Sequence, residues 1–225
     1  MLVEKYHYPK LTREMRKGTR YYTDGKSSAV PSVTTILDKT ADKTHLIEWR
    51  KRIGAEEAAK QTKQAAGFGT LVHNSLEKYS LGEDWEITGN NYVQQIARQA
   101  VTQIVENCMP DIDEFWGVEV PLIAQDLYAG TTDGVGVHKG DPAIIDFKTS
   151  KKIKKREWIK DYFMQTCAYA LAHNEMFGTD IQKGVILMAD REGNYAEFII
   201  EGDEFKKYAE MWGDRVVEYY AKFAV

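Results

Sequence analysis

Cysteine is scarce in this chain: it has two, Cys108 and Cys167. That number rules out a disulfide scaffold, a four-cysteine zinc site and an iron–sulfur cluster, and leaves reduced core thiols as the expected role. Long apolar runs are missing as well. Nothing approaches the roughly 18 consecutive apolar residues of a membrane-spanning helix. The opening MLVEKYHYPK has neither the apolar core of a secretion signal nor the Arg- and Ser-rich pattern of a transit peptide, so a cytoplasmic location is expected. Low-complexity tracts and internal repeats are absent too, which argues against a mainly disordered chain.

What remains is the composition of a soluble folded protein, 43% hydrophobic against 28% charged residues. Its 225 positions suffice for one large domain or a core with an appended subdomain. The net charge of −4 argues against a uniformly basic nucleic-acid surface. Charge is unevenly placed, however. The run KTSKKIKKREWIK, residues 148–160, holds six lysines and one arginine against one glutamate. With Arg13, Arg16, Lys17 and Arg20 it leaves room for a locally positive face, and a solvated lysine-rich loop is an equal reading.

RYYTDGKSSAV reads as a hairpin turning at Asp24–Gly25, and PSVTTIL opens a helix with Pro31 and Ser32. Residues 44 to about 79 are helical in pattern, with Gly54 and the GFG at 67–69 as expected breaks. Another helix spans 90–107. The period then changes: EFWGVEVPLI, LYAGTTDGVGVH and AIIDFKTS form three strands of an antiparallel meander. A long helix over REWIKDYFMQTCAYALAHNEMFG follows, then strands in IQKGVILMAD and NYAEFIIE and a closing helix from 203 to 223. This order predicts an α/β fold with a central mixed β-sheet flanked by helices. Residues 1–65 are expected to form an N-terminal hairpin and helical arm, and 66–225 the core, within one unit.

The chemistry concentrates in AGTTDGVGVHKGDPAIIDFKTS, residues 129–150. Asp133 and Asp146 fall on consecutive strands joined by the turn-rich HKGDP. A hairpin brings them side by side, where two carboxylates repel unless a cation lies between them. Ligation through oxygen suits Mg²⁺ or Mn²⁺ better than a structural zinc. Lys148, two residues past Asp146, projects from the same strand face, where it can align an attacking water or stabilise transition-state charge. An isolated D-x-K is more often a surface salt bridge; the apolar flanks and the upstream acid at hairpin distance favour function here. His73 and Glu77 in GTLVHNSLEKY share a helix face, as do Gln165 and Tyr169 in QTCAYA. Taken singly, an accommodated histidine and a packed tyrosine with a solvated amide are the plainer readings. HNSLE also lacks the paired histidines of a zinc-protease helix.

In order, GTLVH, YAGTTDGVG, IIDFKTS and QTCAYA resemble the successive motifs of the RecB-type exonuclease branch of the PD-(D/E)XK nuclease superfamily, over residues 67–169 with supporting strands to about 200. PSVTTIL and the tryptophan of HLIEWRKRIG further resemble the mitochondrial genome maintenance exonuclease group and its phage relatives. The resemblance implies a restriction-endonuclease-like core and a Mg²⁺- or Mn²⁺-dependent deoxyribonuclease, an exonuclease acting on single-stranded DNA or DNA ends in replication, recombination or repair. It implies His73, Asp133 and Asp146 as metal ligands with the Phe147 carbonyl as a further one, and Lys148 as the catalytic lysine. Gln165 and Tyr169 match the pair behind the sheet that positions the lysine, the active strand or a phosphate. Glu119 matches an acid able to assist a second metal or to serve a structural pairing. Ser32, Thr34, Thr149, Ser150, Lys151 and Lys152 are the expected nucleic-acid contacts. Tyr21, Tyr22 and Trp49 are candidate platforms for unpaired bases, with core the preferred role for Trp49.

Some relatives carry an iron–sulfur cluster, for which cysteines are lacking here. Others are fused to helicase motors, but this chain has no G-x-x-x-x-G-K-[ST] phosphate loop, so activity without ATP is expected. The alternatives are a structure-specific endonuclease and a non-catalytic DNA-binding module on the same fold. No membrane partner is expected, and the expected setting is a bacterial or phage-infected cell, with a processed organellar form left open.

Overall fold

The computed structural model describes residues 2–26, 28–124 and 126–223. Three short strands open it, β1 (Thr12–Arg16), β2 (Thr19–Thr23) and β3 (Val30–Pro31), paired antiparallel in that order. β1 and β2 turn at Lys17–Gly18, whose φ values of 47° and 77° are those of a tight hairpin. Asp24–Gly25, where a turn was expected, begins the longer link between β2 and β3. Ser32 then caps α1 (Val33–Thr40), its hydroxyl accepting from the Thr35 N–H at 3.0 Å, as sequence predicts for serine at that position.

α2 (Thr44–Ile53) buries none of its residues and stops at Gly54, where φ is 84°. α3 (Ala55–Leu81) runs unbroken through 67–69, so the expected break at GFG is absent and position 65/66 lies inside a continuous helix. Phe68, Val72 and Leu76 recur every fourth residue and are buried; their packing outweighs the helix cost of about 1 kcal/mol per glycine. Gly69 has its own use. A Cβ there would lie 3.2 Å from Thr149 Oγ1, so the missing side chain lets the helix approach the strand that carries Thr149. α4 (Tyr92–Asn107) begins with a capping box between Asn91 and Gln94, which satisfies two backbone donors reciprocally.

The main sheet follows: β4 (Ile112–Ala124), β5 (Tyr128–His138) and β6 (Asp141–Ser150), then α5 (Lys160–Phe177), β7 (Lys183–Asp190), β8 (Tyr195–Glu201) and α6 (Gly202–Phe223). Its order is β4-β5-β6-β7-β8, with β6 and β7 parallel and the other pairs antiparallel. α5 makes the crossover that a parallel pair requires. All of β7 is buried, as befits a strand covered on both faces. Ile144, Ile186 and Met188 pack with α1, α5 and α6 on one face, and Ile145, Phe147, Val185 and Leu187 with α3 and α4 on the other. Cys108 and Cys167 are buried on opposite faces of this sheet.

One irregularity creates the site. β5 and β6 pair from His138↔Asp141 to Gly134↔Ile145, and the ladder stops there. Beyond it β5 continues with β4 to Tyr128, and β6 with β7 to Ser150. The next two residues across the gap are Asp133 and Asp146. β3 leads onto the freed edge of β5 through a bridge between Ser32 and Ala129. No helix among the described residues is long and apolar enough to cross a membrane.

Candidate active site

Where the ladder stops, the Phe147 N–H donates to Asp133 Oδ2 at 2.6 Å instead of to a backbone carbonyl. The N–H and C=O of a strand residue point to the same side, so the Phe147 carbonyl opens into the same gap. α3 brings His73 to the gap, its Nδ1 3.6 Å from Asp133 Oδ1. Asp146 is 1% exposed, and the Lys148 ammonium lies against its Oδ2, an oxygen that accepts no well-aligned hydrogen bond among the described residues. The strand fork thus gathers His73, Asp133, Asp146 and Lys148 from three elements.

Electrostatics follow from that crowding. Burial pushes the Asp146 carboxyl up to about 6, helped by Asp133 and opposed by Lys148. For Asp133 burial also disfavours charge, yet the His73 bond and charge, Lys148 and the Phe147 N–H outweigh it and lower its pKa. His73 and Lys148 are both disfavoured as cations by burial and both raised on balance, His73 by Asp133 and Lys148 by the two aspartates. Glu119 stands across from Asp133 on β4 with φ of 51°, a left-handed conformation rare for a non-glycine residue. Partial burial, then repulsion from Asp133 and Glu77, raises its carboxyl to about 7 although the side chain still reaches solvent. Glu77, four residues after His73, therefore faces the same cleft.

Behind the fork, Gln165 Nε2 and the Tyr169 hydroxyl are 3.5 Å apart. Tyr169 is buried against Gly130 of β5, where an added Cβ would come 2.9 Å from its ring. Gly130→Ala is expected to destabilise the fold by about 1–3 kcal/mol through overpacking, read as a lowered denaturant midpoint; an unshifted midpoint would show that the ring is free to move aside.

Sequence reasoning did not assign Tyr162 a place at the site. Its ring centroid is 5.1 Å from the Lys148 ammonium, and its hydroxyl accepts from Lys154 at 2.7 Å. The available signal was its position three residues before Gln165 on the same helix.

The expected nucleic-acid contacts are scattered. Ser32 is 2% exposed with its hydroxyl engaged in the α1 cap, which removes it as an open DNA contact; Thr34 is exposed. Thr149 lies under Gly69, and the Ser150 hydroxyl donates to the Lys152 carbonyl at 2.7 Å. Lys152 pairs with Glu192 at 3.2 Å, Arg156 pairs with Glu204 at 2.6 Å, and Lys155 rests 5.4 Å from the Trp158 ring centre. Lys151 is exposed. Tyr22 is buried beside Val30, and the Tyr21 hydroxyl lies 3.5 Å from that of Tyr219. Trp49 is half-buried on a helix that buries nothing fully, so the preference for a core role is corrected: α2 contributes to no core.

Among the described residues, the trio of ligand-type side chains whose donor atoms all come within 4.8 Å of one another is Asp111, His138 and Glu197, away from the predicted set. It already holds an internal cation, since Lys139 reaches Asp111 at 2.7 Å and Glu197 at 3.4 Å. The predicted set is looser but chemically apt. Two carboxylates, a backbone carbonyl and an imidazole meet at a gap where the buried Asp146 Oδ2 has an ammonium as its neighbour. Such an oxygen-rich donor set fits Mg²⁺ or Mn²⁺.

No family model matches the chain. Among curated proteins, mitochondrial genome maintenance exonuclease 1 from Homo sapiens is 24% identical over 209 residues, covering 87% of this chain and 59% of that protein. The Mus musculus protein of the same name is 27% identical over 243 residues, covering 98% and 70%. That of Xenopus tropicalis is 26% identical over 210 residues, covering 87% and 59%. The chain thus spans about three fifths of the length of the human relative. Over most of its length the chain is similar in sequence to these three exonucleases, and its acidic fork lies in the mixed sheet of an α/β core.

Proposed function

We propose that the protein is a metal-dependent DNA exonuclease that hydrolyses phosphodiester bonds of single-stranded DNA or of DNA ends, in replication, recombination or repair. The observation that carries this reading is the fork at which Asp133 and Asp146 face each other with His73 and Lys148 at hand. A divalent ion held by His73, Asp133, Asp146 and the Phe147 carbonyl would polarise a phosphate oxygen and acidify a bound water. Lys148, fixed by Asp146 and walled by the Tyr162 ring, orients the nucleophile and offsets charge that develops on the phosphate. Gln165 and Tyr169 brace the strand from behind. No step calls for ATP.

The test uses end-labelled linear and circular single-stranded DNA with Mg²⁺, Mn²⁺ or EDTA. Metal-dependent loss of the linear strand with the circle spared is the expected result. A cut circle would make the protein an endonuclease, and binding without cleavage in either metal would leave a DNA-binding module.

Preference for a single strand is assigned to α2. Leu46 and Ile47 are exposed, Trp49 is half-buried, and Arg50, Lys51 and Arg52 close the helix, a combination suited to base stacking beside phosphate neutralisation. Deleting everything before about Lys60 would also strip Val33, Ile36 and Leu37 from the core. Serine at 46, 47 and 49 avoids that loss. Such a variant should lose about tenfold in its preference for single over double strands, within the range of one lost stacking contact. A preference equal to that of the wild type in a competition digest would refute the assignment.

A further inference from the structure

Beyond the carboxyl ends of the two parallel strands lies a cavity of about 330 Å³, lined among others by Gln64, Phe68, Tyr92, Lys151, Arg191 and Glu192. Its position follows from the topology. Ser150 and Asp190 are the last paired residues of β6 and β7, so Lys151 and Arg191 are the first side chains past the sheet, and ligands of α/β sheets gather at that edge. Lys151 is three residues past Lys148, or roughly 10 Å along an extended chain.

Two cations line this cavity, Lys151 from the basic run and Arg191 from just past β7. Lys152 is neutralised by Glu192 and Arg156 by Glu204. Neither Lys151 nor Arg191 has an acidic partner among the described residues. Arg191 lies over the Phe68 ring at 5.5 Å, and its Nε has no acceptor there. Opposite, Tyr92 is 73% exposed at the start of α4. A large aromatic left in water beside two uncompensated cations is the arrangement that binds a base by stacking and its phosphate by charge. Gln64 and Glu192 add an amide and a carboxylate that can meet the edge of a base.

We infer that this cavity is a nucleotide subsite, in which Tyr92 stacks on a base and Lys151 and Arg191 hold the adjoining phosphate of a strand whose scissile bond lies at the strand fork. The inference rests on the nuclease reading for its substrate. It adds a second point of attachment on the α3/α4 side of the sheet, which fixes the path of the strand across β6.

Fluorescence anisotropy tests it with labelled thymidine 12-mers in EDTA, beside 12-mers carrying abasic sites, for the wild type, Tyr92→Ala, Arg191→Gln and Lys207→Gln on α6. Tyr92→Ala is expected to weaken the thymidine strand about tenfold, in the range of one stacking contact, and to leave the abasic strand alone. Arg191→Gln should weaken both strands and lower the slope of log affinity against log salt by about 0.7, the share of one phosphate on a single strand. Wild-type affinity in both variants, or an equal loss in Lys207→Gln, would overturn the subsite. Failure of the wild type to digest the same 12-mer in Mn²⁺ would instead sink the nuclease reading, so the two failures are separable.

Discussion

Lys148→Ala should lower single-turnover DNA hydrolysis by about 10²–10³-fold, the usual effect of removing one preorganised charge from a transition-state site. The same substitution should weaken the metal-free fold, because it leaves Asp146 buried next to Asp133 without a counter-charge. Breaking a buried pair by removing one partner costs about 3–5 kcal/mol, tempered here because burial already raises the Asp146 carboxyl to about 6 and favours its protonation. Mn²⁺ should restore much of that stability without restoring the rate. Asp133 separates fold from chemistry in a second way. Asp133→Asn keeps an oxygen for the Phe147 N–H, whereas Asp133→Ala orphans that donor at about 1–3 kcal/mol. Both should lose hydrolysis, and only the alanine variant should melt early. A folded Lys148→Ala protein that digests DNA at the wild-type rate would refute the assignment of the site.

Acid should destabilise the protein through His173, buried in the core on α5. His173 is 0% exposed and ringed by Tyr6, Tyr8, Trp116 and Phe177. The Thr179 hydroxyl donates to Asn174 Oδ1 at 2.8 Å, so it must accept from His173 Nδ1, also at 2.8 Å. That leaves Nε2 to accept from the Tyr8 hydroxyl at 3.2 Å. Both ring nitrogens are satisfied in the neutral tautomer, and a proton on Nε2 would turn the Tyr8 hydroxyl from donor to acceptor and place a charge out of reach of water.

Burial accordingly lowers the His173 pKa from 6.5 to about 4. The folded value lies below the unfolded one, so the unfolded chain binds more protons between the two. Stability is therefore complete above pH 6.5 and declines toward pH 4, by up to about 3 kcal/mol at 1.36 kcal/mol per unit. Urea melts of wild type and His173→Gln from pH 7.5 to 4.5 give the check. The variant should lose less stability on acidification, and parallel profiles would assign the acid sensitivity to other groups.

How much of this was legible in the sequence divides along physical lines. The order of β4 to α6 followed from hydrophobic period and from turn residues, which are local signals. Asp133, Asp146 and Lys148 were placed together by hairpin geometry and strand alternation, and they meet as those rules require. The glycines at 67–69 misled because helix propensity is local, whereas the reason for Gly69 is a strand eighty residues away. Trp49 misled in the opposite sense, since average burial says nothing about a helix that buries none of its residues. Tyr162 and Arg191 acquire their places from tertiary contacts with Lys148 and Phe68, which no pattern in either segment encodes.

The parting of β5 from β6 divides the sheet mechanically. Asp133 belongs to one plate, β4 and β5, and Asp146 to another, β6, β7 and β8, joined along the stretch from Gly134↔Ile145 to His138↔Asp141. The separation of the two carboxylates is thus set by the angle at which the plates meet, as the jaws of a clip are set by its spring.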